Sequence, residues 1–219
     1  MINALDKVQP KNKVQLKSLI EYAFNHNIYD LNFIDTSKIT DMSNLFINCE
    51  YDIDISNWDV SNVTNMYRMF ASCKNFKGKG IENWDVSNVT NMYRMFAWCK
   101  KFNSDLSNWD VSNVTTTFCM FAGCKKFNSD LSNWNMANVK TAGYMFIGCE
   151  SFEGKGLENW DVSKVKDIHS MFYGCKKLNC DLSDWDVSFV SNVGWTFYRC
   201  DKMTIPKWYT RIMNDTKCN

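Results

Sequence analysis

Apolar positions in this chain recur in one order with a long period. Tryptophan returns at Trp58, Trp84, Trp109, Trp134, Trp160 and Trp185, in steps of 26, 25, 25, 26 and 25 residues. Cysteine keeps the same interval at Cys49, Cys73, Cys99, Cys124, Cys149, Cys175 and Cys200. Self-similarity at a fixed period of roughly 20–50 residues marks a repeat architecture. Each unit is too small to bury its own apolar face and covers it against its neighbours.

Two shorter patterns lie inside each repeat. Around Trp109, polar Asn108, Asp110 and Ser112 alternate with Trp109 and Val111, flanked by Leu106 and Val114. A period of two predicts a half-buried strand. From Val63 to Cys73 the apolar residues Val63, Met66, Met69, Phe70 and Cys73 predict a helical stripe of one to two turns, with Ser61 or Thr64 as its cap. A turn follows, seen as Lys77-Gly78-Lys79-Gly80 or Asn103-Ser104-Asp105, and Phe76, Phe102, Phe127, Phe152 and Leu178 seal the corner. The spacing Leu-x-x-Trp-x-Val matches the strand of a leucine-rich repeat. The predicted fold is therefore an α/β repeat: a leucine-rich-repeat-like solenoid with a parallel β ladder, short helical turns on the other side and an N-terminal helical cap. Between Lys11 and Asn27, the apolar positions Val14, Leu16, Leu19, Ile20, Ala23 and Phe24 predict an amphipathic helix preceded by Pro10. The tail Ile205-Pro206-Lys207-Trp208-Tyr209 breaks the pattern and is expected to lid the last coil. The organisation is thus a cap over 1–33, seven coils over 34–203 and a second cap over 204–219.

The run Trp-Asp-Val-Ser-Asn-Val-Thr-Asn-Met-x-x-Met-Phe-x-x-Cys, with the opening Asp30-Leu31-Asn32-Phe33-Ile34-Asp35-Thr36-Ser37, resembles the 25/26-residue repeat of BspA-like bacterial surface proteins. The resemblance spans roughly residues 11–210. It implies a cell-surface protein engaged in adhesion or partner binding.

The remaining composition narrows the chemistry. With 25 basic and 24 acidic residues the net charge is +1, without the basic excess of a nucleic-acid binder. No apolar run of 18 residues exists to span a membrane. The segment Met1–Lys7 lacks the charge-then-apolar order of an export signal. The chain as written therefore reads as cytoplasmic, or as exported with its leader removed, and the resemblance points to the surface. The cysteine file is expected to be buried and reduced, each thiol acting as a small apolar group. Cys119, Cys180 and Cys218 fall off it.

Two columns are candidate contact sites, the outward Asn/Asp/Ser strip ranked first and a Tyr/Arg column second. Asp59, Asp85, Asp110, Asp161 and Asp186 share one phase with Asp35, interrupted by Asn135. Either each accepts a backbone N–H two residues on, as an Asx turn, or together they face a basic partner or a weakly held Ca²⁺. The second column changes between copies: Tyr67, Tyr93, Phe118, Gly143, His169 and Gly194, then Arg68, Arg94, Cys119, Tyr144, Ser170 and Trp195. Aromatic residues and arginine are what interface hot spots use, although they also cover apolar core. Only His26 and His169 are present, and no phosphate loop or nucleophile motif occurs. The reading is a non-enzymatic protein-binding module that needs no cofactor and no metal. Its rivals are a structural spacer and an enzyme using an off-file cysteine, Cys119 or Cys180; a Cys175–His169 pair is disfavoured because Cys175 belongs to the buried file.

Overall fold

In a computed structural model, the structure describes residues 7–215; most of the Met1–Lys7 segment and Cys218 lie outside the described residues. Helix α1 spans Lys13–Asn25 and helix α2 spans Lys207–Asp215. Between them, single-turn 3-10 segments at Ile81–Asn83 and Leu157–Asn159 are the only other helical pieces among the described residues.

The expected strand and helical stripe are both overturned. No strand forms among the described residues, so there is no parallel β ladder of the leucine-rich-repeat kind. The Trp109 segment is two successive turns: Trp109 N–H donates to Leu106 O (3.1 Å), and Val114 N–H to Val111 O (2.9 Å). Because the tryptophan amide is spent three residues back, it has nothing to offer a neighbouring coil. The stripe is not a helix either. Met69 N–H donates to Met66 O and Cys73 N–H to Phe70 O, with φ of +52° at Arg68 and +64° at Ser72. A positive φ at the third residue is the signature of a type II turn. Apolar spacings of three thus count turns here, not helical pitch.

The coils nevertheless join, and they do so through the segment expected to be helical. Amides of Met66, Arg68, Phe70 and Ser72 donate to carbonyls of Asn91, Tyr93, Met95 and Ala97 one coil on, at 2.7–3.0 Å. Single parallel bridges connect Asp41, Asn65, Asn91, Thr116, Thr141, Asp167 and Asn192 in succession. Side chains tie each coil back to the one before. The tryptophan Nε1 of Trp58, Trp109, Trp134, Trp160 and Trp185 donates to a buried carbonyl of the previous coil, as in Trp109 to Ile81 O at 2.9 Å. Trp84 Nε1 is the exception, buried without a partner.

Inside, phenylalanine rings stack from coil to coil: Phe46, Phe70, Phe96, Phe121, Phe146, Phe172 and Phe197 follow at 5.5–5.8 Å. The tryptophan and cysteine files lie in the same core, apart from Cys49, which is half-buried. Helix α1 starts at Asn12, whose side chain accepts from Gln15 N–H (3.1 Å). It buries Leu16, Ile20 and Ala23 against the first coil. Val14, expected on that face, is 74% exposed. At the other end Trp208 of α2 is buried and donates to Leu182 O at 2.7 Å, which continues the tryptophan file by one place.

One core position is poorly matched. Thr117 occupies the file otherwise filled by Met66, Met92, Ala142, Ile168 and Val193, is fully buried, and its Oγ1 has no partner. A buried unsatisfied hydroxyl costs about 1–3 kcal/mol. Thr117→Val keeps the shape and removes the polar atom, so urea unfolding is expected to show a gain of about 1 kcal/mol. A loss of stability would mean that the hydroxyl has a partner.

Candidate functional site

The aspartate strip is built from Asx turns. Oδ1 of Asp59, Asp85, Asp110, Asp161 and Asp186 accepts the amide of Ser61, Ser87, Ser112, Ser163 and Ser188 at 2.9–3.0 Å. The serine hydroxyls hold the carboxyls of Asp85, Asp161 and Asp186 below the usual carboxylate range, reinforced by the serine amides. Asn135 makes the same turn to Ala137 N–H (3.1 Å) without a charge. Geometry alone therefore accounts for an oxygen at this position. The carboxylates are exposed, and no group of three or more potential metal ligands gathers among the described residues.

The Tyr/Arg column forms a continuous face. Rings of Tyr67 and Tyr93 stack at 5.1 Å, Tyr93 and Phe118 at 5.4 Å, Phe118 meets Tyr144 edge-on at 5.4 Å, and Tyr144 reaches His169 at 5.1 Å. The file passes through Tyr144 because position 143 is glycine. A Cβ there would stand 3.0 Å from both the Phe118 ring and an Asp167 oxygen, so the aromatic group is supplied one residue later. Arg94 lies over the Tyr93 ring at 5.3 Å and Arg68 over Tyr67 at 6.0 Å, within reach of cation–π attraction. Trp195, the last member, packs on Tyr198 at 5.0 Å and is 55% exposed.

Backbone conformation sets this face apart. Arg68, Arg94, Cys119, Tyr144, Ser170 and Trp195, with Asn44 before them, all have φ between +51° and +61°. Four residues later a second such column reads Asn48, Ser72, Trp98, Gly123, Gly148, Gly174 and Arg199. Glycine, the residue best suited to that conformation, fills three places of the second column and none of the first. A non-glycine residue costs roughly 1–2 kcal/mol there, more than glycine's extra chain entropy returns. Sequence patterning missed Trp98, which is 55% exposed with its ring over Gly123. Its signal was present: Trp98 and Trp195 fall off the 25-residue interval of the other tryptophans.

Among the described residues, the cysteines singled out above are buried or half-buried, with their thiols pushed up. Cys175 is fully buried with its thiol on Phe146 O (3.0 Å), whereas the His169 ring meets Asn192 Oδ1 (3.2 Å) on the outer face. Cys119 is also buried, and burial pushes its thiol up, with Arg94 opposing. Burial lifts Cys180 to about 12. A reactive thiolate needs the opposite shift.

These features define a repeat protein built of stacked turns, closed at each end by a helix and carrying an aromatic outer face. Residues 14–117, 40–157 and 119–218 each match the family described as Mycoplasma protein of unknown function, DUF285, and the chain belongs to that family. The first two matches begin 26 residues apart, one coil, as a repeat-length pattern requires. No curated protein matches the chain. No helix among the described residues is long and apolar enough to cross a membrane.

Proposed function

We propose that this chain is a non-enzymatic repeat module that binds a protein partner through the face carrying Tyr67, Arg68, Tyr93, Arg94, Trp98, Phe118 and Tyr144. One observation carries the reading. Bulky or charged side chains are kept in a backbone conformation that favours glycine, and they gather on one outer surface beside a continuous ring file. Residues held in costly conformations cluster where the side chain has a task. The aspartate strip is the weaker candidate, since its turns explain its composition. The resemblance of the Trp-Asp-Val-Ser-Asn-Val run to BspA-like surface repeats supports an adhesive or surface role for such contacts.

A photo-crosslinking residue placed at Tyr93 in the native host is expected to trap a specific protein, and the same residue at Glu153, an exposed site elsewhere on the coil, is not. Titrated against that protein, the Arg68→Ala/Arg94→Ala double variant should bind at least about tenfold more weakly, as expected for interface arginines. Equal trapping at both positions, or unchanged affinity in the double variant, would rule this face out.

A further inference from the structure

Every joint between coils is made by four amides, and the series runs out at the C-terminal end. In six successive joints the amides of alternate residues donate to alternate carbonyls one coil on, at 2.5–3.2 Å. The first joint uses Met42, Asn44, Phe46 and Asn48, and the last uses Ile168, Ser170, Phe172 and Gly174. The equivalent residues of the seventh coil are Val193, Trp195, Phe197 and Arg199. Their amides donate to no acceptor among the described residues.

This row is not the edge of an ordinary strand, which presents N–H and C=O groups together. The carbonyls of Val193, Trp195 and Phe197 are spent within the turns on the amides of Thr196, Tyr198 and Cys200. Those of Asn192, Gly194, Thr196 and Tyr198 accept from the coil before. From Asn192 to Tyr198 the edge therefore offers donors and no free acceptors. Beside it lies a groove of about 420 Å³, lined by Trp195, Phe197 and Tyr198 of this coil and by Ile205, Tyr209 and Met213 from the tail. Its rings stand at right angles in pairs: Trp195 on Tyr198 (5.0 Å, 82°) and Phe197 against Tyr209 (5.1 Å, 79°). Trp195, Tyr198 and Ile205 are exposed.

We infer that this groove binds a proline-rich segment of a partner protein in the polyproline II conformation. Proline carries a carbonyl and no N–H, and a polyproline II helix makes no internal hydrogen bonds. Such a segment brings acceptors alone to an edge that holds donors alone. Its pyrrolidine rings pack between aromatic side chains, as proline-rich segments do in aromatic-lined grooves. An extended strand would instead set its own N–H groups against those of Trp195 and Phe197. A further coil, supplied by a second copy, would have to displace α2, whose Trp208 and Tyr209 already pack on Trp185 and Phe197. The groove uses none of the seven side chains assigned to the partner-binding face and does not depend on that assignment.

The test is titration of the isotope-labelled whole chain with an oligoproline peptide of about ten residues, with a Gly/Ser peptide of equal length as control. Oligoproline should bind saturably and move the amide resonances of Trp195 and Phe197 downfield, and the Gly/Ser peptide should do neither. Trp195→Ala should weaken binding at least about tenfold, as truncation of a hot-spot tryptophan does. Ile205→Ser should weaken it severalfold. Both positions are exposed, so circular dichroism should show the fold retained. The Arg68→Ala/Arg94→Ala variant should bind oligoproline as the wild type does, which keeps this test separate from that of the Tyr/Arg face. Absence of saturable binding at millimolar peptide, equal binding of the Gly/Ser peptide, or wild-type affinity in Trp195→Ala would overturn the assignment. So would concentration-dependent self-association in sedimentation that Trp195→Ala abolishes, since the edge would then belong to a second copy.

Discussion

Gly156→Ala is expected to destabilise the protein by roughly 4 kcal/mol, the upper end of single-substitution effects. Gly156 has φ +91° and lies against the preceding coil: a Cβ there would sit 2.2 Å from Ser132 N and 2.4 Å from Ser132 Cα. Those are backbone atoms with nowhere to go. Ser132 N–H is held by Asp130 Oδ1 (2.9 Å), and Asp130 is paired with Lys155 (2.5 Å) from the turn that contains Gly156. Conformational strain of about 1–3 kcal/mol therefore adds to overpacking of similar size. Gly148 is the internal control. Its φ is +70°, but the nearest atom to an added Cβ is Gly123 Cα at 3.8 Å, so Gly148→Ala carries the conformational cost alone. In thermal melts, each kcal/mol is worth about 2–4 °C for a chain of this size. Gly156→Ala should melt about 10 °C below wild type, and Gly148→Ala only a few degrees below it. Equal losses would mean that the coils are not packed as closely as described.

Phe121→Ala comes second, at about 3–5 kcal/mol. The ring is fully buried and meets Phe96 at 5.7 Å, Phe127 at 4.1 Å and Phe146 at 5.6 Å. It is a link between coils as much as a part of its own. Stability in stacked repeats is close to a sum of unit and nearest-neighbour terms. A gap in the middle of the ring file should thus weaken cooperativity as well as stability, and urea unfolding followed by tryptophan fluorescence should broaden or split. Phe46→Ala, in a terminal coil with one phenylalanine neighbour in the file at 5.5 Å, should cost less and leave one transition. If both variants unfold in single transitions with equal losses, the ring file does not carry the coupling.

What could be seen in the sequence was composition by position. The 25-residue interval, the burial of tryptophan, phenylalanine and cysteine, and the helix near Leu16 and Ile20 all follow from where apolar residues recur. Secondary structure did not follow, for a physical reason. Templates of period two and period 3.6 assume that an amide bonds across a strand pair or four residues back in a helix. Here amides alternate between a turn three residues back and a carbonyl one coil on, which yields apolar spacings of three and two that imitate both. The Asx turns were readable because Asp-x-Ser places acceptor and donor two apart. The left-handed columns were hidden because Arg94, Tyr144 and Trp195 are not residues that announce a positive φ. Asn44 and Asn48, and in the second column Gly123, Gly148 and Gly174, are the members that do so. The ring file was half visible: Tyr67, Tyr93 and Phe118 share a phase, but the step from Gly143 to Tyr144 depends on space that only coordinates reveal.

The amides of Met66, Arg68, Phe70 and Ser72 reach forward to the next coil, while the indole of each following tryptophan except Trp84 reaches back. Apart from the coil that carries Trp84, each internal coil therefore offers the same sockets to its successor and the same plugs to its predecessor. A segment of one full period, duplicated or deleted, would leave both new neighbours with matching partners. A change of five or ten residues within the turns would misalign every later contact. The molecule is thus built to lengthen or shorten in whole-coil increments, and its reach along a partner is a quantity that gene duplication can adjust without redesigning the core.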